Sequence, residues 1–143
     1  MARRRENPSD SRLYFEWLKN SSEDIYVASL LVNDERGRNT CAFHCQQAIE
    51  KALKAYLLLF SGKLMDGHNL TWLCRQALRF DREFEQWFDE SASLNRYYIE
   101  TRYPADIPIK LTKDGIKHVF GMAKSMYDFI ELQVDEKEEE IFE

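Results

Sequence analysis

Long apolar runs are missing from this 143-residue chain. The longest, from Tyr56 to Phe60, is far shorter than the roughly 20 residues that a transmembrane helix needs. The basic start of the chain contains Arg3, Arg4 and Arg5 and lacks the apolar stretch of a signal peptide. We therefore expect no membrane-spanning segment and a cytoplasmic location.

The motifs of many familiar enzymes are also missing. There is no glycine-rich phosphate loop, no serine nucleophile elbow and no zinc-protease signature. Cysteine is scarce and odd in number, and Cys41, Cys45 and Cys74 lie in helical, partly apolar settings that fit reduced packing residues better than disulfides. Cys41, His44 and Cys45 could offer three metal ligands on one helical turn, but no second cluster supplies a fourth. We predict neither a metal nor a cofactor.

Composition indicates one globular domain with differently charged ends. An apolar fraction of 44% is enough for a packed core, and a net charge of −5 argues against bulk wrapping of nucleic acid. The predicted organisation is a basic N-terminal arm over 1–9, a helical domain over 10–134 and an acidic tail over 135–143.

Apolar residues recur at steps of three and four over five segments, and no segment reads as a strand. The predicted helices run from Asp10, with Ser9 or Asp10 as cap, to about Asn33, from Ala42 to Phe60, from a cap at His68 or Asn69, from Arg82 to about Thr101 with a division near Ser91–Ser93, and from a cap at Thr112 to Val134. Carboxylates at the negative end of the last helix dipole are unfavourable, so we expect that helix to fade after Val134. The predicted fold is an all-α, up-and-down bundle of about five helices.

The second predicted helix carries a polar stripe as well as an apolar one. Spacings of three and four residues place His44, Gln47, Lys51 and Lys54 on one face, while alanines at 48, 52 and 55 and a leucine at 59 face the domain. Imidazole and amide groups can hydrogen-bond bases or ribose, and ammonium groups pair with phosphate. The structural alternative is an exposed face on which Glu50 pairs with Lys54, worth only about 0.3 kcal/mol.

Arginines and tyrosines alternate near the end of the fourth predicted helix, at Arg96, Tyr97, Tyr98, Arg102 and Tyr103. Arginine grips phosphate bidentately and tyrosine can stack on a base. The structural alternative is that the arginine at 102 neutralises the carbonyls of its helix end and the tyrosine at 103 packs under the following loop.

Three separated segments resemble the HEPN family of small helical domains. They are Gln-Gln-Ala-Ile-Glu-Lys-Ala-Leu-Lys-Ala over 46–55, His68-Asn69-Leu70 and Arg102-Tyr103-Pro104, and the resemblance extends from about Asp10 to Val134. It implies a homodimer that binds nucleotide or RNA in a cleft between the second helix and the Arg-Tyr-Pro turn. The residues expected to bind are His44, Gln47, Lys51, Lys54, His68, Arg96, Arg102 and Tyr103. Stand-alone HEPN proteins often pair with a minimal nucleotidyltransferase in a toxin and antitoxin arrangement, which implies such a partner.

HEPN ribonucleases carry an arginine, then four to six residues, then a histidine, often followed two positions later by tyrosine. Lys113, His118 and Phe120 have this spacing, but lysine cannot form the arginine fork and phenylalanine lacks the hydroxyl. Arg38 and His44 also have the spacing, although they belong to an early helix. We therefore expect a non-catalytic binding protein. The alternatives are a metal-independent endoribonuclease using His118 or His44 with a phosphate anchor at 113, 38 or 102, and a dimeric scaffold with no ligand.

Overall fold

The computed structural model describes residues 13–98 and 110–142, and these residues form five α-helices. The helices are α1 (Tyr14–Leu31), α2 (Arg38–Ser61), α3 (Leu70–Leu78), α4 (Phe88–Asn95) and α5 (Lys113–Phe142). Short 3-10 helices, Glu35–Gly37 and Arg82–Trp87, precede α2 and α4. The predicted all-α bundle is confirmed, and the described ranges contain no strand.

Local chemistry sets several of the helix ends. The Asn69 side chain accepts a hydrogen bond from the Trp72 amide at the start of α3, and Thr112 Oγ1 accepts one from the Gly115 amide at the start of α5. Gly62 ends α2 with a left-handed φ of 75°, which glycine adopts without steric cost. The predicted caps at Asn69 and Thr112 are therefore confirmed.

Helix α2 lies at the centre of the bundle and packs chiefly against α1 and α5. Its small residues, including Ala48 and Ala52, are fully buried, which lets the neighbouring helices approach closely. All three cysteines are buried and free, so their predicted role as packing residues is confirmed. Since α2 is covered on most sides, its polar side chains have to find partners inside the protein.

The prediction that the last helix fades after Val134 is wrong, because α5 continues to Phe142. Tertiary contacts hold this acidic extension. The Tyr14 hydroxyl donates a hydrogen bond to Glu138, and the Lys137 ammonium lies 5.2 Å from the centre of the Phe60 ring. Contacts with α1 and α2 therefore offset the unfavourable placement of carboxylates near a helix C-terminus.

Other helix boundaries also differ from the predictions. The division of the fourth helical region falls between Trp87 and Phe88, because Ser91 is buried within α4 and donates its hydroxyl to the Trp87 carbonyl at 2.8 Å. Leu13 precedes α1, while the predicted caps Ser9 and Asp10 and the basic arm lie outside the described residues. In the ranges that the structure covers, no helix is both long and apolar enough to cross a bilayer.

Candidate functional site: a polar cluster on the central helix

Asp24 projects from the buried face of α1 towards α2 and is only 7% exposed. Its Oδ1 lies 2.7 Å from Nδ1 of His44, and its Oδ2 lies 2.8 Å from the ammonium of Lys51. His44 and Lys51 are about two helical turns apart on α2, so they approach the same carboxylate from two sides. A buried carboxylate is costly unless it is paired, and these two partners supply the pairing.

Glu50 is a second buried carboxylate, on α2 itself, and is 4% exposed. It accepts hydrogen bonds from the side chains of Gln46 and Lys54, each at 3.1 Å, and more weakly from Gln47 at 3.4 Å. Nδ1 of His68, in the connection between α2 and α3, lies 2.9 Å from its other side. Four side chains therefore share one acceptor group.

Aromatic rings border this second carboxylate. The imidazole of His68 stacks on the ring of Tyr98, with centroids 4.1 Å apart and planes inclined by 16°. The ammonium of Lys54 lies 5.6 Å from the centre of the Trp17 indole, in a cation–π contact. The polar groups are therefore held in fixed positions by ring packing as well as by hydrogen bonds.

We call this assembly the α2 polar cluster. Its members are Asp24, His44, Gln46, Gln47, Glu50, Lys51, Lys54 and His68. Five of the predicted binding residues meet here, namely His44, Gln47, Lys51, Lys54 and His68. The sequence-based view of an open face offering positive charge is corrected, because two carboxylates neutralise its two ammonium groups.

Sequence reasoning missed Asp24 entirely and treated Glu50 only as an exposed pairing partner. A signal for Asp24 was present, since it falls on the same helical face as Ser21, Ile25 and Ala28, all of which are buried. A carboxylate within a buried stripe needs a cation from another element.

Only part of the α2 polar cluster faces solvent. The side chains of His44 and Lys51 are each 27% exposed and that of His68 is 50% exposed, whereas Lys54 is 8% exposed. We call His44, Lys51 and His68 the exposed rim. These three side chains are the members best placed to contact a ligand.

The remaining predicted binding residues lie outside the cluster. Arg96 follows the last turn of α4, and its guanidinium lies 5.6 Å from the centre of the Tyr97 ring. It precedes by two residues the Tyr98 that stacks on His68. Arg102 and Tyr103 lie outside the described residues.

Neither candidate catalytic pair converges within its helix. Lys113 and His118 both belong to α5, and five helical steps turn their side chains about 140° apart. Arg38 and His44 both belong to α2, and six steps turn them about 120° apart. The Arg38 guanidinium donates instead to the Leu111 carbonyl at 3.3 Å.

The cysteines near His44 do not form a metal centre. Across the described ranges, no group of three or more histidine, cysteine, aspartate or glutamate side chains is arranged to hold a metal ion. The Cys41 thiol lies 3.4 Å from the Ala28 carbonyl in the core. A hydrogen bond with Cys41, together with burial, raises the pKa of the Cys45 thiol, and burial raises that of Cys74 to about 11, which disfavours a thiolate at either position.

Comparison with known proteins identifies the family. The model of the HEPN domain matches residues 14–133, a range that includes the whole α2 polar cluster. This chain belongs to the HEPN family. A solved HEPN-like protein, TT1696 from Thermus thermophilus, superposes with a TM-score of 0.67 at 26% identity, covering 82% of this chain and 95% of that one. Comparison with curated proteins finds no match. HEPN domains are related to nucleotides and RNA and commonly dimerise.

Proposed function

We propose that this HEPN protein binds a nucleotide or RNA without cleaving it, through the exposed rim of the α2 polar cluster. The observation that carries the proposal is that His44, Lys51 and His68 are partly exposed while each is held by a buried carboxylate. Donors that are already ordered lose little conformational entropy when they bind. Imidazole and ammonium groups are suited to bases, ribose and phosphate.

Stacking extends the same surface. The His68 and Tyr98 rings lie nearly parallel next to the Glu50 carboxylate, and aromatic surfaces of this kind accept bases of any sequence. On this proposal Arg96, Arg102 and Tyr103 complete the cleft, as expected from the sequence. The divergence of both arginine- or lysine-to-histidine spacings supports binding without cleavage.

A second candidate function rests on the contact between Asp24 and His44. A carboxylate that orients an imidazole also suits it to proton transfer. Metal-independent RNA cleavage by His44, with Lys51 as the phosphate anchor, is therefore the alternative that the geometry favours most.

The binding test compares Lys51→Gln with Lys124→Gln, an exposed lysine of α5 that pairs with Asp128 at 2.6 Å. Both variants lose one positive charge. We expect Lys51→Gln to weaken binding of labelled single-stranded RNA or of nucleoside triphosphates by roughly tenfold, and Lys124→Gln to leave it unchanged. Equal affinities for both variants, or no binding by the folded parent, would contradict the proposal.

The cleavage test incubates the parent, His44→Ala and His118→Ala with labelled RNA in the presence of a chelator. The binding proposal expects intact RNA in all three samples. Cleavage by the parent that His44→Ala abolishes would establish the endoribonuclease function, and the same result for His118→Ala would assign it to α5.

We further propose a homodimer that works with a minimal nucleotidyltransferase in a toxin and antitoxin pair. Exposed apolar side chains on one face of α1 support an interface, since Phe15 is 54%, Tyr26 63% and Leu30 61% exposed. Sedimentation equilibrium should give a dimer mass for the parent and a monomer mass for a Tyr26→Glu, Leu30→Glu variant. Copurification with the product of a neighbouring nucleotidyltransferase gene tests the partner. A dimer that binds no nucleotide or RNA would indicate the scaffold alternative.

A further inference from the structure

Three cationic side chains meet at the start of α2 without a carboxylate partner in the described ranges. Arg36 lies in the 3-10 helix before α2, Arg38 is the first residue of α2, and Lys110 precedes α5. An open cavity of about 320 Å³ lies between them. It is lined by Glu35, Arg36, Arg38, Asn39, Lys110 and Leu111. We call this feature the basic cavity.

Specific contacts bring the three cations together. The Arg38 guanidinium donates to the Leu111 carbonyl at 3.3 Å, which joins the start of α2 to the segment before α5 and places Lys110 alongside. The Asp34 side chain accepts the Arg36 amide at 2.9 Å and so stabilises the turn that carries Arg36. The clustering follows from packing between elements that are distant in the sequence.

The charge of the basic cavity is opposite to that of the protein as a whole. Glu35 is the one carboxylate in its lining, against three cations, whereas the chain has a net charge of −5. In the α2 polar cluster, by contrast, Asp24 and Glu50 already pair with Lys51 and Lys54. Cations gathered without counter-charges repel one another, and an anion would relieve that repulsion. Arginine matches phosphate best, because its planar fork makes two parallel hydrogen bonds.

We propose that the basic cavity binds a backbone phosphate of single-stranded RNA, and this inference rests on the proposed function of the exposed rim. Arg38 precedes His44 by six residues, so the two positions lie about 9 Å apart along α2 and about 120° apart around it. A mononucleotide has one phosphate group or chain and occupies one of the two positions. A continuous strand can contact both, which makes an oligonucleotide the preferred ligand.

The test replaces the three cations with glutamine, as Arg36→Gln, Arg38→Gln and Lys110→Gln together. The control variant carries Lys63→Gln, Arg79→Gln and Arg82→Gln, which remove the same charge from exposed positions. Those positions lie near the opposite end of α2, where Phe80 packs on Phe60, and α2 is about 36 Å long. Because Arg38 also binds the Leu111 carbonyl, a second variant changes only Arg36 and Lys110.

Binding is measured by anisotropy with a labelled single-stranded RNA over a range of salt, and by calorimetry with ATP and with inorganic tripolyphosphate. We expect the cavity variants to bind RNA at least about tenfold more weakly than the control at low salt, with a log-log salt slope reduced by about one per lost phosphate contact. Tripolyphosphate binding should also fall, and RNA should bind the parent more tightly than ATP does.

Equal RNA and tripolyphosphate affinities in the cavity and control variants would overturn the inference, and so would a parent that binds neither. Loss of RNA affinity in Lys51→Gln alone would leave the proposed function standing and reject the basic cavity. Tripolyphosphate binding that depends on the cavity, with no binding of RNA or ATP, would support an anion site there and reject the proposed function. Parent affinity for ATP equal to that for RNA would reject the oligonucleotide as the preferred ligand.

Discussion

The ammonium of Lys54 lies 3.1 Å from the carboxylate of Glu50, and both side chains are more than nine-tenths buried. The two residues are four positions apart on α2, a spacing that is common on exposed helix surfaces and worth little there. Here the surrounding helices remove both groups from water. The pair is therefore costly to break by changing one partner.

We expect Glu50→Leu to lower the free energy of unfolding by about 3 kcal/mol, because it leaves the Lys54 ammonium buried without its partner. A Glu50→Leu, Lys54→Met double variant should recover part of that loss. Urea denaturation of the parent, both single variants and the double variant measures the coupling. Asp128→Ala, which breaks the exposed Lys124 pair, is the control and should cost less than about 1 kcal/mol. Losses that simply add in the double variant would show that the pair is not coupled.

Tyr14 should make stability depend on alkaline pH. Burial, together with the hydrogen bond to Glu138 and its charge, raises the pKa of Tyr14 to about 12 from the usual value near 10. Between these values the folded protein keeps the proton that the unfolded chain loses, so stability falls as the pH rises from about 10 to about 12. Below pH 10 this contribution is fully present. Tyr14→Phe should show a shallower decline in its urea midpoint over that window, and a profile parallel to that of the parent would contradict the assignment.

Two glycines should respond oppositely to alanine. Gly121 lies within α5, and an added Cβ would meet no atom within 4 Å. Gly121→Ala should therefore raise stability by about 0.5 to 1 kcal/mol through a smaller entropy of the unfolded chain. Gly62 has a φ of 75°, and Gly62→Ala should lower stability by about 1 kcal/mol because of the left-handed conformation. Each change corresponds to a shift of a few degrees in Tm, measured by thermal unfolding. A gain at both positions, or a loss at both, would contradict these assignments.

Much of the fold could be predicted because helices are largely specified by local sequence. Apolar spacing located all five helices, and side-chain chemistry located the caps at Asn69 and Thr112. The end of α5 could not be predicted in the same way. Its acidic sequence disfavours helix at a C-terminus, and the contacts of Tyr14 with Glu138 and of Phe60 with Lys137 that offset this effect come from other helices.

The sequence by itself determined the helical positions, the two faces of α2 and the three motifs that resemble the HEPN family. Only the tertiary structure decided the electrostatic state of those faces. Asp24 reaches His44 and Lys51 from another helix, whereas Arg36, Arg38 and Lys110 meet without a carboxylate partner in the described part of the chain. Periodicity fixes which residues share a helix face, but charge pairing depends on which side chains neighbouring elements bring within reach.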